Sequence, residues 1–448
     1  MKKPIVASLA VVSAFFVHER VAEACGGCFA PPENPTVVTD HRMVMTIGRN
    51  QSTLYDQIRY TGSPASFAWV LPIAGEVKVG LSSDIVFQAL DQRTQTQIQA
   101  PPQNCPPAPN CNSGGFGAAS SDKSASPSPE DPGVQVSKRE TVGPYDTVQL
   151  KATDPQALDK WLSQNGFSVP DVVKPVIAQY VAEHFDFLAL KLLPGKEVKD
   201  MRPVRVTTPG ANVVLPLRMV AAGTGANVGI TLWTLAEGRY QPQNFPTFTI
   251  TADELEWDWT NNKSTYADLR AAKNTAGQGK VWEIESSTSL GADELRSTIT
   301  YSGQNDAYLP TKDANGNIVK TAAEVRDEDI QTLVGSIGGS VRVTRTRADL
   351  AQAALATDLA LAATVDQSEL STRRVVTREK NQPLCPVYNG CEQVGTAPRD
   401  VAAAQQGGSN ETFACASVPA NKTPLGWLAA GAAALGAVVV RAARRRRI

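Results

Sequence analysis

The chain has 448 residues, 43 Lys and Arg against 44 Asp and Glu, a hydrophobic fraction of 42% and seven cysteines. That length exceeds the usual single-core limit of about 250–300 residues, so two packed subdomains or one irregular domain is expected. Residues 1–24 and 441–448 hold eight of the basic side chains and two of the acidic ones, leaving 35 against 42, or −7, for the stretch between; an acidic body of this kind excludes nucleic acid as a partner, because phosphate binding needs a basic surface.

At the N-terminus, Lys2 and Lys3 precede an apolar core of 13 residues, Ile5 to Val17, and a small-residue exit at Ala22-Glu23-Ala24. This is the pattern of a cleavable signal peptide spanning 1–24, and the core is shorter than the roughly 20 residues a bilayer span needs. Cys25 directly follows the exit, so lipidation is an alternative to plain cleavage. Against it, Ala22 and Glu23 stand where that processing wants an aliphatic and a small uncharged residue.

Val37 to Ile47, Leu54 to Tyr60 and Ser66 to Ile73 are rich in β-branched and aromatic residues and are parted by Gly48-Arg49-Asn50 and Gly62-Ser63-Pro64, which predicts strands and turns. Ser82 to Arg93 reads as a short amphipathic helix. Residues 100–133 turn to Pro, Ser, Gly and Asn and cannot bury enough surface to offset their ordering entropy, so they are a surface insertion. Val134 to Ala152 resumes strand alternation. Asp154-Pro155 opens a helix with a capping carboxylate and a proline in the first turn. A second helix, Asp171 to Phe185, runs into the strand Phe187 to Leu193.

Strands fill Val204 to Ile250. Thr251-Ala-Asp-Glu254 and Thr321-Ala-Ala-Glu324 are capping-box signatures, the first opening a helix through Leu255 and Trp259, the second a helix toward Leu333. Tyr266 to Ala271 is helical, Val281 to Glu285 a short strand and Val341 to Arg345 another. Ala348 to Leu361 is an Ala/Leu-rich amphipathic segment. Scattered helices among antiparallel-looking strands give an α+β class rather than a βαβ alternation. The body is expected to cover 25–380, followed by a linker at 381–423.

The C-terminal run Leu425 to Val440 is apolar over 16 residues and is followed by Arg441 and Arg444 to Arg447. As a helix it spans about 24 Å, thin for a hydrocarbon core of about 30 Å. A single transmembrane helix at 424–441 with a cytoplasmic arginine tail at 442–448 is the expectation, by the positive-inside rule. The membrane is then one partner, and the body faces the extracytoplasmic side. The tail also resembles myxobacterial sorting tails, with Cys415 as the candidate processing cysteine. Cys415 stands ten residues before Leu425 and lacks a preceding Gly, so anchor and sorting tail both remain open.

An exported chain meets an oxidising compartment, which makes Cys25, Cys28, Cys105, Cys111, Cys385 and Cys391 candidate disulfide cysteines. Six cysteines allow 15 connectivities. The two x5 spacings, Cys105 to Cys111 and Cys385 to Cys391, suggest small local loop staples. Cys25-Gly-Gly-Cys28 has redox spacing, but Phe29-Ala30-Pro31-Pro32 follows instead of the helix that depresses a thiol pKa. A thiol-redox role and a cysteine zinc site are the minor alternatives.

Once the leader is removed, His41 and His184 are the two histidines left for a triad. Gly223-x-Gly225 has no following helix for a pyrophosphate. Asp313, Asn315, Asn317 and Glu324 echo a calcium loop, but Ile318 stands where Gly is needed. Asp253, Glu254, Glu256 and Asp258 alternate with Leu255, Trp257 and Trp259. Such carboxylates could serve glycoside hydrolysis, and equally a helix start. No catalytic residue, metal site or cofactor is assigned.

Several segments together are familiar. Ala24-Cys-Gly-Gly27, Tyr60-Thr-Gly62 leading to Phe67-Ala-Trp-Val-Leu-Pro72, and Leu158 to Phe167 come first. Tyr180 with Phe187 to Leu192, Arg202-Pro203, Leu215-Pro-Leu-Arg218, Tyr266 to Leu269 and Val343-Thr-Arg345 follow. In this order they resemble the bacterial family known as domain of unknown function 2330. The resemblance implies export and a cell-envelope setting, and it carries no reaction or cofactor. The expected function is therefore a non-catalytic envelope role, binding a protein or surface partner or contributing structure. The alternatives are a carboxylate hydrolase using Asp253 or Glu256, or a thiol-redox protein using Cys25 and Cys28.

Overall fold

The computed structural model describes residues 28–29, 37–61, 68–108, 139–165, 171, 173–221, 227–301, 308–312, 317–334 and 340–407. Its main sheet has eight strands, in the order Thr247–Phe248, Trp282–Gly291, Ser340–Ala351, Asn227–Ala236, Val37–Ile47, Gln51–Thr61, Val204–Pro209 and Lys78–Leu81. Two neighbour contacts are parallel, Thr247–Phe248 with Trp282–Gly291 and Asn227–Ala236 with Val37–Ile47. The others are antiparallel. A second sheet, antiparallel throughout, runs Cys28–Phe29, Ala68–Ile73, Asp186–Leu192, Tyr145–Leu150, Arg139–Val142.

Side chains alternate across a strand, so a strand buried on both faces feeds two cores at once. Met43, Met45 and Leu54 of the large sheet meet Trp69, Leu71, Leu188 and Leu190 of the smaller one in a central core. On the far face of the large sheet, Val44, Tyr55, Trp233 and Val343 pack against Phe87, Leu295 and Leu333. Those three come from the helices Asp84–Thr94, Ala292–Tyr301 and Ala322–Val334. On the far face of the smaller sheet, Val70, Val148 and Phe187 pack against Leu158, Leu162 and Ile177 of the helices Pro155–Gln164 and Lys174–Ala182. The architecture is thus helices, large sheet, smaller sheet, helices. It is a mixed α+β fold, as the alternation in the sequence implies.

Strands from either side of the insertion pair with each other: Gln51–Thr61 with Val204–Pro209, and Ala68–Ile73 with Asp186–Leu192. The insertion therefore interrupts one body and does not divide two. Local cap chemistry is realised where it was expected. Asp154 accepts from the Gln156 amide at 2.9 Å ahead of Pro155, and Thr321 and Glu324 satisfy each other's amides.

Four expectations are corrected. Thr251 and Glu254 form their capping box, but it closes only a 3-10 turn at Ala252–Glu254. The chain then becomes the strand Glu256–Asp258, because Leu255 drops into a small core and the backbone pairs with Lys263–Ser264 and Arg378–Lys380. The Ala/Leu-rich segment is mostly extended. Ala348 and Leu350 alternate into the central core at the end of Ser340–Ala351, and a 3-10 turn at Gln352–Ala356 and the strand Leu359–Ala363 follow. The expected linker begins with structure, a hairpin of Leu384–Asn389 and Glu392–Pro398 and the helix Arg399–Gly407.

The cysteine staples are not local. Cys105 bonds Cys385 across a sequence separation of 280. The contact is possible because Gln97–Gln99 runs parallel to Arg373–Val375 and carries Cys105 toward the hairpin. Cys391 is also disulfide-bonded. Cys25, Cys111 and Cys415, residues 1–24 and the apolar run Leu425 to Val440 lie outside the described residues. Among the described residues no helix is long and apolar enough to cross a membrane.

Candidate functional site

Between the two sheets a small cavity of about 20 Å³ remains, room for about one water molecule. Met43, Leu54 and Asp56 line it from the large sheet and Trp69, Val70 and Leu71 from the smaller one. Its roof is the strand Val214–Leu215 and the helix Leu217–Val220, contributing Leu215, Pro216, Met219 and Val220. The one charged side chain in this lining is Asp56.

Asp56 occupies the inward phase of its strand, two residues after Leu54, so the pleat that buries the leucine buries the acid as well. It is 5% exposed, and its Oδ1 accepts no hydrogen bond among the described residues. His41 Nδ1 stands 3.7 Å from that oxygen, beyond hydrogen-bond length. A buried carboxylate oxygen without a donor costs about 1–3 kcal/mol or more. Most buried polar atoms avoid that cost, and each exception asks for a reason.

The roof is fastened by charge. Arg218 lies over the Tyr180 ring at 4.1 Å from its centroid and bonds Asp358 Oδ2 from Nε at 3.0 Å and Nη2 at 2.7 Å. The same guanidinium reaches Glu183 through both Nη atoms, at 2.7 and 2.6 Å. Tyr180 donates to Asp358 at 2.6 Å, and burial with the nearby carboxylate pushes its phenol well above the ordinary range. The Arg218 guanidinium in turn holds the Glu183 carboxyl below its usual value. This clamp ties the short roof helix to the Lys174–Ala182 helix and the 352–358 segment.

The acidic run does not assemble into a comparable site. Asp253 is exposed, Glu254 caps its turn and pairs with Lys273 at 2.7 Å, and Asp258 accepts from Thr260, Asn261 and the Asn261 side chain. Hydrogen bonds lower all three carboxyls, the Thr251 side chain for Asp253, Lys273 for Glu254 and Asn261 for Asp258. A general acid needs the opposite shift. Trp257 packs on the core of Ile250, Leu255 and Val376, while Trp259 donates to Glu379 at 2.7 Å.

The carboxyl raised into the neutral range is one the sequence reading passed over. Burial pushes Glu283 up to about 7, against the hydrogen bond from Tyr266, with Glu285 adding to the rise. Tyr266 Oη donates to it at 2.7 Å. Arg270 Nε lies 3.1 Å from Oε2 but off the donor axis, so that oxygen accepts nothing among the described residues.

Of the remaining sequence candidates, Cys28 pairs through its backbone with Trp69, so the N-terminal cysteine segment joins the strand that lines the cavity. His184 is exposed at a helix end with φ of 65°. Among the described residues no His, Cys, Asp and Glu cluster suited to a metal is formed.

A model of the bacterial family DUF2330, described as an uncharacterized protein conserved in bacteria, matches residues 20–315. The chain belongs to this family. No curated protein and no solved structure matches it. Segments that carry the family resemblance meet at the cavity. Phe67 to Pro72 supplies Trp69, Val70 and Leu71, and Leu215 to Arg218 supplies two roof residues and the clamp. The match ends at 315, yet Ser340–Ala351 lies inside the large sheet, bonded to Asn227–Ala236 on one side and Trp282–Gly291 on the other. In this chain the folded unit is larger than the matched region.

Sequence reasoning missed Asp56 and the short roof helix. The signal for Asp56 was present as phase: a charge in register with Leu54, just as His41 is in register with Met43 and Met45.

Proposed function

We propose that this is an exported, membrane-tethered cell-envelope protein with a non-catalytic binding or structural role. The observation that favours this reading over hydrolysis is that hydrogen bonds hold Asp253, Glu254 and Asp258 below the usual carboxylate range, the opposite of what a general acid needs. Support for export comes from the leader pattern at 1–24, and support for tethering from the apolar run with its arginine flank at 424–448. In this reading the body extends from 25 to 407, a linker covers 408–423, and the helix 424–441 holds the body on the extracytoplasmic side.

Glycoside hydrolysis needs two carboxyls flanking the bond, one of them raised to act as acid, and the acidic run does not offer such a pair. The test is to purify the protein from the membrane fraction and sequence its N-terminus. A membrane-bound chain beginning at Cys25 is the expected result. A chain that keeps residues 1–24, or one recovered wholly from the soluble cytosolic fraction, overturns the proposal.

A further inference from the structure

We infer that the hairpin Leu384–Asn389 and Glu392–Pro398, with the helix Arg399–Gly407, is a module clasped to the body by disulfides, and that reduction releases it while the α+β body stays folded. Within 384–406 the buried side chains are Cys385 and Ala402. Leu384, Val394 and Val401 are exposed, so the module builds no core of its own. A lone two-stranded hairpin and a helix of nine residues are each marginal in water. Its polar ties to neighbouring segments include Arg399, which pairs with Glu379 and donates to the Gln103 carbonyl at 3.3 Å, and the Asp400 amide, which donates to Gln382 at 3.1 Å. Partly exposed contacts of this sort are worth about 0–1 kcal/mol each. The covalent links are of another order: Cys385 is joined to Cys105, and Cys391 beside the hairpin turn is disulfide-bonded as well.

The Cys105–Cys385 bond can be approached from one side. Cys385 is fully buried, whereas Cys105 is half-buried between exposed residues, Pro102 to Asn104 before it and Pro107 and Ala108 after it. A thiolate of a dithiol reductant attacks Cys105 Sγ; the S–S bond breaks, and its electron pair leaves on Cys385 Sγ, which takes up a proton. The reductant's second thiol then attacks the mixed disulfide, releases Cys105 as a thiol and closes the reductant's own disulfide. Two electrons and two protons thus pass from the dithiol to the cysteine pair. Cys391 is exposed, and its bond is open to the same exchange. The consequence concerns the membrane tether and rests on the reading above: release of the module lengthens the linker from 408–423 to 381–423. The release itself does not depend on a membrane.

The experiment uses the full mature chain in detergent, either oxidised or treated with dithiothreitol and iodoacetamide, with amide hydrogen exchange read by mass spectrometry. Reduction is expected to speed exchange across Leu384–Asn389 and Glu392–Pro398 by at least about tenfold and to leave Val37–Ile47 and Asn227–Ala236 protected. A variant carrying Cys105→Ser, Cys385→Ser and Cys391→Ser, never reduced, is expected to match the reduced protein. Hairpin amides protected equally in both states overturn the inference, because the non-covalent contacts then suffice. Loss of protection in Val37–Ile47 and Asn227–Ala236 together with the hairpin also overturns it, because the disulfides then hold the whole body. If the serine variant does not fold, the comparison of oxidised and reduced parent protein decides alone. A chain found free of the membrane overturns the tether reading and leaves these exchange results as they are.

Discussion

Glu283 makes the stability of this protein depend on pH in a direction opposite to that of an ordinary salt-bridged acid. Its carboxyl is 2% exposed, and burial lifts it from 4.5 to about 7 in the folded state. Between those values the folded protein retains a proton that the unfolded chain has released. The group's stability contribution is therefore fully present below pH 4.5 and is lost as pH rises through 7. A shift of that size corresponds to about 3 kcal/mol. For the roughly 310 described residues, with an unfolding entropy near 2.1 cal/mol/K per residue, it corresponds to about 5 °C in Tm.

Glu283→Gln keeps the shape and an acceptor for the Tyr266 hydroxyl but removes the titration. Arg270 keeps Asp349 at 2.5 Å in either protein. The two proteins should melt together near pH 4.5 and diverge as pH rises, the variant being the more stable by up to about 3 kcal/mol at pH 8. Calorimetric melts at half-unit steps from pH 4.5 to 8 measure the gap. Parallel curves, or a variant that falls behind at high pH, would mean that the carboxylate is ionised and paired in the fold, and the reasoning from burial would be wrong.

Three further outcomes can be checked. Asp329→Ala removes the acceptor for Ser82 at 2.6 Å, Tyr308 at 2.9 Å and Arg205 at 2.9 Å from a fully buried position. It should cost about 3–5 kcal/mol in urea denaturation, the scale for orphaning a buried charge. Replacing Cys105 and Cys385 by serine opens a loop that the chain-entropy model values at about 6 kcal/mol. The measured loss should fall below that because Cys391 is cross-linked as well, and an unchanged urea midpoint would contradict the pairing. A chain ending at residue 315 leaves the facing edges of Asn227–Ala236 and Trp282–Gly291 without their shared partner. It should be insoluble or lack cooperative melting, whereas a chain ending at 407 should fold.

What could be read in advance follows from the range of the forces involved. The caps at Asp154 and Thr321 are satisfied within three residues, so their sequence signatures suffice. Thr251 has the same signature and makes the same bonds, yet its helix fails, because pairing with Arg378–Lys380, more than 100 residues away, captures the following backbone. Ala348 and Leu350 suit a helix by composition and become strand because an open position in the sheet awaits them. Cys105 was read toward its neighbour at Cys111, and spacing alone has no means of reporting a strand pairing that brings Cys385 closer. The cavity was the least legible feature, since its floor, wall and roof come from segments around residues 43–56, 69–71 and 215–220. Family membership, by contrast, was legible from short motifs in order.

The position of Ser340–Ala351 has a bearing on how the molecule comes into being. A ribosome releases this segment after nearly every other long strand, but its seat is third from one edge of the eight, flanked by two strands made earlier. Until it arrives, Asn227–Ala236 and Trp282–Gly291 have nothing between them, and the sheet consists of two unjoined portions. A polypeptide laid out in that way cannot lock before most of it has been synthesised. Late closure of this kind leaves the large sheet unfinished until residue 351 has been made.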